Sequence, residues 1–362
     1  MDKLTEIVPL AKKLIAFSSV SGDIPQANEI LKIVKKELTG FQHTSFISSG
    51  LPSLLFSNQN KDTKKFKIIL NAHLDVVPAE EEQFVPIEKE GRLYGRGAFD
   101  MKAAAAVMIL LFKEMADKVD FPLGLQITMD EEISGFNGTR YQVQQGIRAD
   151  FAIMGECNSN FKVTNQSKGR FEGKIIIEGD SAHAAHPWRG ENAVWKMYQA
   201  LEPLMKAFPI PETETFTTTV SITKIESENN ATNQIPGHCV AYLDIRYQPE
   251  DADNILTKIR ALLPKNAVFE AEDMRKPHSV DPENKYIKLL RKITTETLKQ
   301  ELPLRSAHAT SDAPFFSEVG CPAVEFGPIG NSPHHENEWV DIKSLGQYYE
   351  ILQKFLLSSG KL

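Results

Sequence analysis

The spacing of apolar positions between residues 66 and 154 predicts buried strands separated by helices. Short apolar runs with the length of buried strands occur at Phe66–Leu70, Leu123–Thr128 and Phe151–Met154. The stretch Met101–Met115 is rich in Ala and Leu, which favour the α-helix. Because strands that alternate with helices form a parallel sheet, this pattern predicts an α/β fold with a mostly parallel central sheet.

The middle of the chain has a different order of predicted elements. The strands are Phe171–Gly179, Phe216–Ile225, Cys239–Tyr247 and Ala267–Ala271, and the helices are Asn192–Ala207 and Ala252–Leu263. This βαββαβ order is that of the ferredoxin-like unit. We therefore expect residues 169–279 to form an inserted domain, while residues 1–168 and 280–362 form the first domain.

After Pro282 the helix-rich pattern of the first part of the chain returns. Lys285–Thr297 and Ile342–Leu357 are predicted helices, and Ala323–Phe326 is a predicted strand. These elements are therefore expected to complete the α/β domain that the N-terminal part begins.

Composition and charge are typical of a globular protein and argue against several kinds of partner. Of the 362 residues, 41% are hydrophobic and 25% are charged. The net charge of −7 and the lack of a basic block argue against nucleic acid. No apolar run approaches the ~20 residues that span a bilayer, so no membrane partner is expected. The N-terminus lacks a secretory signal, and Cys157, Cys239 and Cys321 do not suggest a disulfide framework, so a cytoplasmic location is expected.

Acidic and imidazole side chains follow several of the predicted strands. They are His73 and Asp75 after the first strand, Asp100 at the start of the long helix, Glu131 and Glu132 after the second strand, Glu156 after the third, and His334 after the last. In open α/β sheets, sites form beyond the carboxyl ends of the strands. We therefore expect these residues to converge, although they are scattered along the sequence.

Each of these residues also has an ordinary structural explanation. Asp100 suits a helix N-cap. Glu131 and Glu132 suit the N-terminus of a helix electrostatically, and His334 and His335 fit an exposed loop. The explanations are independent of one another, whereas the repeated position at strand ends favours one shared site.

The residue types in this set suit a pair of metal ions. Two histidines and three carboxylates can hold two divalent ions if one carboxylate bridges them, and such ligands suit zinc, with cobalt or manganese as substitutes. Paired ions polarise a carbonyl group and lower the pKa of a shared water. A further carboxylate is then needed to move a proton from the water to the leaving amine.

Four motifs carry a resemblance to a known enzyme family. They are His73-x-Asp75-x-Val77-Pro78, Gly95-Arg96-Gly97 with Asp100-Met101-Lys102, Asp130-Glu131-Glu132, and Gly155-Glu156. Their order resembles that in the co-catalytic zinc deacylases and exopeptidases, which include acetylornithine deacetylase, succinyl-diaminopimelate desuccinylase, aminoacylase and carboxypeptidase G. The resemblance runs from about Leu4 to Leu357. It implies two Zn²⁺ per subunit, with Co²⁺ or Mn²⁺ as alternatives, and an inserted lid and dimerisation domain.

The resemblance also implies a role for each residue at the metal site. Asp100 would bridge the two ions, and His73 with Glu156 would complete one site. Glu132 and His334 would complete the other. Glu131 would be the general base, and Asp75 would orient His73. His334 is preferred to His335 because the family pattern has a Glu four residues after the ligand, which is Glu338 here.

The remaining motifs concern substrate binding. His183, in Ser181-Ala182-His183-Ala184-Ala185, resembles the histidine that reaches a partner subunit's site and stabilises the oxyanion, although without the family match it reads as a lone loop histidine. Asn233 and Arg246 resemble the residues that hold the substrate carboxylate, which a guanidinium suits. Thr310 is also assigned to substrate binding, and its segment mixes features of the desuccinylase and acetylornithine-type sequences. Lys168 and Arg170 are assigned as well; with Arg305 they form either a site for an acidic acyl tail or a solvated surface.

These assignments predict a metal-dependent amidohydrolase that cleaves the amide bond of an N-acyl amino acid. Acetylated or succinylated basic amino acids are the expected substrates. A metallo-dipeptidase or carboxypeptidase is the alternative, but relatives with those activities tend to have Asp at the position of Glu156. A metal-free binding homologue is a more remote alternative. The expected assembly is a homodimer through the inserted domain.

Overall fold

The computed structural model describes residues 3–156, 161–228 and 231–362, and Cys157 lies outside these ranges. The chain divides into two compact units. The first comprises Met1–Asn165, Val280–Arg305 and Ser311–Leu362, and the second comprises Gln166–Ser279 and Ser306–Thr310. The segment 306–310 thus differs from the predicted boundaries. It belongs with the second unit because Lys168 N–H donates to Ala307 O at 3.0 Å and the Thr310 hydroxyl donates to Lys168 O at 2.8 Å.

The described residues form α-helices and β-strands with the following bounds. The helices are α1 (Leu4–Ile15), α2 (Ile24–Glu37), α3 (Lys102–Met115), α4 (Thr139–Gln144), α5 (Ala193–Ala207), α6 (Ile255–Leu262), α7 (Lys285–Leu298), α8 (Ala313–Ser317) and α9 (Ile342–Ser359). The strands up to residue 183 are β1 (Gln42–Ser48), β2 (Leu51–Ser57), β3 (Lys65–His73), β4 (Ile87–Lys89), β5 (Arg92–Tyr94), β6 (Leu123–Thr128), β7 (Arg148–Met154), β8 (Thr164–Ser167), β9 (Gly169–Glu178) and β10 (Ala182–His183). The later strands are β11 (Thr219–Ser227), β12 (Gln234–Ile235), β13 (His238–Tyr247), β14 (Ala267–Arg275), β15 (His278–Ser279), β16 (Arg305–Ala307), β17 (Ala323–Glu325), β18 (Gly330–Asn331) and β19 (Trp339–Asp341).

The sheet of the first unit is mixed, and its central strands are parallel. Its strand order is β1-β2-β6-β3-β7-β17-β8. β6, β3, β7 and β17 pair in parallel, whereas β1, β2 and β8 pair antiparallel with their neighbours. The predicted α/β fold with a parallel central sheet is therefore present, with antiparallel strands at both edges.

Helix α3 is almost entirely buried against this sheet. Its side chains from Lys102 to Phe112 are all buried. The run Ala103–Ala106 allows this because small side chains let neighbouring elements approach closely on every side of the helix. α1, α7 and α9 contribute to the same core. None of the helices in the described ranges is long and apolar enough to cross a membrane.

The second unit is built on an antiparallel sheet with the strand order β11-β13-β9-β14. Burial alternates along β9 and β13, so that residues such as Ile175 and Leu243 point into a core shared with α5 and α6. Along the chain the main elements follow the βαββαβ order that the hydrophobic pattern predicts. A short ribbon of β10 and β12 lies beside them in the sequence.

Candidate metal centre

Parallel strands bring the predicted site residues to one edge of the sheet in the first unit. In the register of β3 with its neighbours, His73 pairs with Thr128 of β6, and Asn71 pairs with Met154 of β7. The three strands therefore end close together. Glu132 and Glu156, which follow β6 and β7, emerge at the edge where His73 lies.

Two clusters of metal-ligand type occur among the described residues. One contains His73, Asp100 and Glu156, and the other contains Asp100, Glu132 and His334; within each cluster the candidate ligand atoms lie within 4.8 Å of one another. Asp100 belongs to both. Its Oδ1 lies 3.3 Å from His73 Nε2, and its Oδ2 lies 3.4 Å from His334 Nε2. The two oxygens of one carboxylate thus face the two imidazoles.

The buried His73 ring has its orientation fixed by a backbone carbonyl. Nδ1 lies 3.1 Å from the carbonyl oxygen of Asp75. Because a carbonyl oxygen only accepts hydrogen bonds, the neutral form of the ring carries its proton on Nδ1 and has its lone pair on Nε2. Nε2 faces Asp100 Oδ1 and, at 3.8 Å, Glu156 Oε2. The ring therefore directs a metal-ligating nitrogen at the two carboxylates.

The Asp75 side chain has a wider role than the sequence suggested. Its carboxylate is fully buried and lies 3.4 Å from His73 Nδ1. It also accepts hydrogen bonds from the backbone N–H groups of Glu131, at 3.2 Å, and Glu132, at 3.1 Å. Asp75 thus holds the turn that carries both glutamates. The hydroxyl of Ser21, a residue that the motifs do not include, donates to the same carboxylate at 2.6 Å.

His334 approaches the second cluster from a loop. Its Nε2 lies 3.0 Å from Glu132 Oε2, and its side chain is half exposed. The backbone at His334 has a φ of +62°, a left-handed conformation that non-glycine residues rarely adopt and that is common at functional sites. Neither cluster of the described residues includes His335 or Glu131.

Electrostatics in the two clusters favour a bound cation. Burial raises the pKa of Glu156 to about 7, and burial also raises the pKa of Glu132. Burial alone would lower the pKa of His73, but Glu156 and Asp100 outweigh it and raise that pKa. Hydrogen bonds with Asp100 and Glu132 raise the pKa of His334 to about 10. Burial thus disfavours the charged forms of the two glutamates, whereas the carboxylates around the two imidazoles favour a positive charge there.

An unpaired buried atom supports the same interpretation. Glu156 Oε1 is buried and has no hydrogen-bond partner among the described residues. An unsatisfied carboxylate oxygen is costly unless a cation or proton meets it. Together with the nitrogen lone pair of His73, it makes the first cluster chemically suited to a divalent ion. A further buried acid that the motifs missed is Glu325, whose pKa burial raises to about 7.

Among the predicted substrate residues in the second unit, His183 and Asn233 are brought together by the β10–β12 ribbon. His183 pairs with Gln234, and Ala184 N–H donates to Asn233 O at 2.8 Å. The Ala185 N–H donates to His183 Nδ1 at 3.1 Å. The neutral ring therefore carries its proton on Nε2 and is set to donate from there.

Arg246 and Arg170 lie opposite each other on β13 and β9 and share one carboxylate. Asp244 accepts from Arg246 Nε at 2.6 Å and Nη2 at 3.2 Å, and from Arg170 Nε at 3.2 Å. Arg170 also pairs with Glu172. Acidic neighbours thus engage both guanidinium groups.

Lys168 lies immediately before β9, and Thr310 lies in the segment 306–310 of the same unit. Lys168 is buried, with Nζ 5.7 Å from the centre of the Phe216 ring. Burial and the nearby Arg246 lower the pKa of Lys168. The Thr310 hydroxyl is used in its bond to Lys168 O. Two cationic side chains thus lie near each other here, and Thr310 ties its own segment to Lys168.

Comparisons with known proteins agree with this geometry. Residues 69–358 match the family described as Peptidase family M20/M25/M40. The chain is 30% identical over 307 residues to succinyl-diaminopimelate desuccinylase of Coxiella burnetii (strain Dugway 5J108-111), covering 78% of this chain and 82% of that protein. A tripeptidase from Staphylococcus aureus has the same fold, with a TM-score of 0.83, 19% identity and 100% of both chains covered. A dinuclear metal-binding peptidase from Bacillus subtilis matches with a TM-score of 0.73 and 13% identity over 98% of both chains.

Proposed function

Because the chain belongs to peptidase family M20/M25/M40 and is a metal-dependent amidohydrolase, we propose that it cleaves the amide bond of an N-acyl amino acid at the site around Asp100. The observation that carries the proposal is the position of Asp100, whose two carboxylate oxygens face His73 and His334. A carboxylate shared by two ligand sets would suit a pair of closely spaced ions.

His73, Asp100 and Glu156 would hold one ion, and Asp100, Glu132 and His334 the other. Zinc suits these nitrogen and oxygen ligands, and cobalt or manganese are possible substitutes. When bound, such ions polarise the amide carbonyl and make an attacking water more acidic. The dinuclear peptidase among the structural relatives is consistent with two ions.

Glu131 is proposed as the general base. It accepts a proton from the attacking water and passes it to the nitrogen of the leaving amine, so that the acyl group departs as a carboxylate. Its place is set by Asp75, which binds the backbone N–H of Glu131. Asp75 therefore positions both Glu131 and His73.

His183 is proposed to stabilise the oxyanion. The Ala185 N–H occupies Nδ1, so the proton on Nε2 is the one available to a developing negative charge. We propose that it acts in the site of a partner subunit, within a homodimer formed through the second unit. Large apolar residues on α5 are exposed there, including Trp195 and Tyr198, as a dimer surface would require.

Arg246 is proposed to bind the α-carboxylate of the substrate, with help from Asn233. Asp244 holds Nε and Nη2 of Arg246 and thereby orients the planar guanidinium. Lys168, with Arg170 nearby on the chain, is proposed to meet a negatively charged acyl tail. The relatives named succinyl-diaminopimelate desuccinylase act on a substrate with such a tail, which makes N-succinyl amino acids the first choice and N-acetyl amino acids the second.

A peptidase is the second candidate, because the tripeptidase shares the whole fold. A panel of N-succinyl, N-acetyl and N-formyl amino acids, dipeptides and tripeptides, assayed with Zn²⁺ or Co²⁺, separates the two. We expect turnover of N-acyl amino acids and a loss of turnover when the α-carboxylate is amidated. Cleavage of peptides alone would replace the deacylase with a peptidase. A cytoplasmic location and the absence of nucleic-acid and membrane partners stay predictions.

A further inference from the structure

A fully buried carboxylate, Glu338, lies four residues after His334 and binds a different part of the chain. Its Oε1 accepts from the backbone N–H groups of Phe99, at 2.9 Å, and Asp100, at 3.0 Å. Its Oε2 accepts from Arg96 Nη1 at 2.7 Å. One side chain thus joins the loop that presents His334 to the loop that presents Asp100.

The Asp100 loop makes three hydrogen bonds to this side chain. Arg96 is also buried, so its guanidinium meets the Glu338 carboxylate away from water. A second link joins the same segments, because Gly95 N–H donates to Glu338 O at 3.2 Å. Gly97, which lies between Arg96 and Phe99 in this loop, has a φ of +82°, and a Cβ there would lie 2.8 Å from the Lys102 side chain. The loop also has backbone turn bonds from Ala98 N–H to Gly95 O at 3.0 Å and from Lys102 N–H to Gly97 O at 2.8 Å, but these do not connect it to the segment that carries His334.

We propose that Glu338 is a positioning residue that sets Asp100 and His334 at the separation needed to hold one ion between them. The proposal rests on the metal site of the proposed function. His73 and Glu156 are placed by β3 and β7, so the first cluster has two ligands that do not depend on Glu338. In the second cluster, Asp100 and His334 both lie on segments that Glu338 fastens together.

The two clusters should therefore respond differently when Glu338 is changed. Glu338→Ala removes the acceptor for both N–H groups and leaves the Arg96 charge buried without its partner. Residues that orient metal ligands typically change metal affinity by about 10–100-fold when they are replaced. We expect a loss of this size at the site that contains His334, and a smaller loss at the site that contains His73.

The test is a Co²⁺ titration of the chelator-stripped protein, followed by the visible absorbance of the bound ion and by isothermal titration calorimetry. The variants are Glu338→Ala and Glu338→Gln. The carboxamide of Gln keeps one oxygen for the Phe99 and Asp100 N–H groups. The loss of Co²⁺ affinity in Glu338→Gln should therefore be at the low end of the range, about 10-fold. Val340→Ala is the matched control, because Val340 is buried nearby in β19 and its aliphatic side chain cannot form a hydrogen bond to either loop.

Thermal unfolding of the metal-free variants separates positioning from general stability. Val340→Ala should unfold at a lower temperature than wild type and bind Co²⁺ with unchanged affinity, whereas both Glu338 variants should bind one of two ions more weakly. If Glu338→Ala does not fold, the Co²⁺ affinity of Glu338→Gln alone tests the proposal. Wild-type Co²⁺ affinity at both sites in the Glu338 variants would overturn the proposal. Failure of the wild-type protein to bind Co²⁺ would instead overturn the proposed function itself.

Discussion

Replacing Asp75 by Asn tests how the turn that carries the proposed base is held. The buried carboxylate accepts hydrogen bonds from Glu131 N–H through Oδ1 and from Glu132 N–H and the Ser21 hydroxyl through Oδ2. A carboxamide has nearly the same shape, but one of its two ends is an NH₂ group that only donates. Whichever way it turns, one backbone N–H of the turn loses its acceptor.

The expected magnitude follows from that single loss. A hydrogen bond to a charged group contributes about 1.5–3 kcal/mol, so Asp75→Asn should lower the free energy of unfolding by this amount. The turn should also shift, because a donor now faces a donor. A displacement of about 1 Å at a reacting group can cost about 10²-fold in rate, which is the fall expected in kcat.

Urea unfolding followed by circular dichroism measures the free energy of unfolding, and steady-state kinetics with a saturating metal concentration measures kcat. Ser21→Ala is the matched control, since it removes a bond to the same carboxylate and leaves both backbone N–H groups with their acceptors. It should be destabilised while its kcat stays within a few-fold of wild type. Equal kcat in Asp75→Asn and Ser21→Ala would refute the role of Asp75 in placing Glu131.

Three further outcomes are expected. Glu131→Gln should keep its bound metal, since Glu131 belongs to neither cluster, and should lose about 10²–10⁴-fold in kcat; full activity would exclude Glu131 as the base. Mixing inactive His183→Ala chains with inactive Glu131→Gln chains should restore part of the activity, because one site of each mixed dimer is whole; no recovery after verified subunit exchange would argue against a shared site. Hydrogen bonds from Lys3, Tyr349 and Lys118 lower the pKa of Glu114 to about 2, so this carboxylate stabilises the fold above its unfolded pKa of about 4.3 and the contribution is lost as the pH falls toward 2. Glu114→Gln should therefore be less stable than wild type by up to about 1 kcal/mol at pH 7 and should approach wild type in acid; a difference independent of pH would contradict this.

Long periodic segments were predictable from the sequence because their burial dictates their pattern. β6 has the predicted bounds, Leu123–Thr128, and α3 begins one residue after the predicted Met101. Shorter elements were missed. The β1–β2 hairpin turns at Ser49 and Gly50, which have φ values of +48° and +82°. A Ser-Gly pair is a turn signal that was available, but the mostly polar segment Gln42–Ser48 before it has no apolar run typical of a strand.

The candidate ligands were predictable for a different reason. Each follows a strand or begins a helix, and parallel strands end at the same edge of a sheet. Their mutual geometry was not predictable, because it depends on loops. The left-handed backbone at His334 and the bonds from Glu338 to the Asp100 loop join residues that lie far apart in sequence. No periodicity or motif spacing reports such contacts.

The metal content of three proteins shows whether Asp100 is a ligand in both clusters. Purified wild type, His334→Ala and Asp100→Ala would be loaded with Zn²⁺, dialysed and measured by elemental analysis against protein concentration. We expect two ions per chain in wild type, one in His334→Ala, and fewer than one in Asp100→Ala. Two ions retained by Asp100→Ala, or at most one ion bound by wild type, would contradict a shared role of Asp100 in two metal sites.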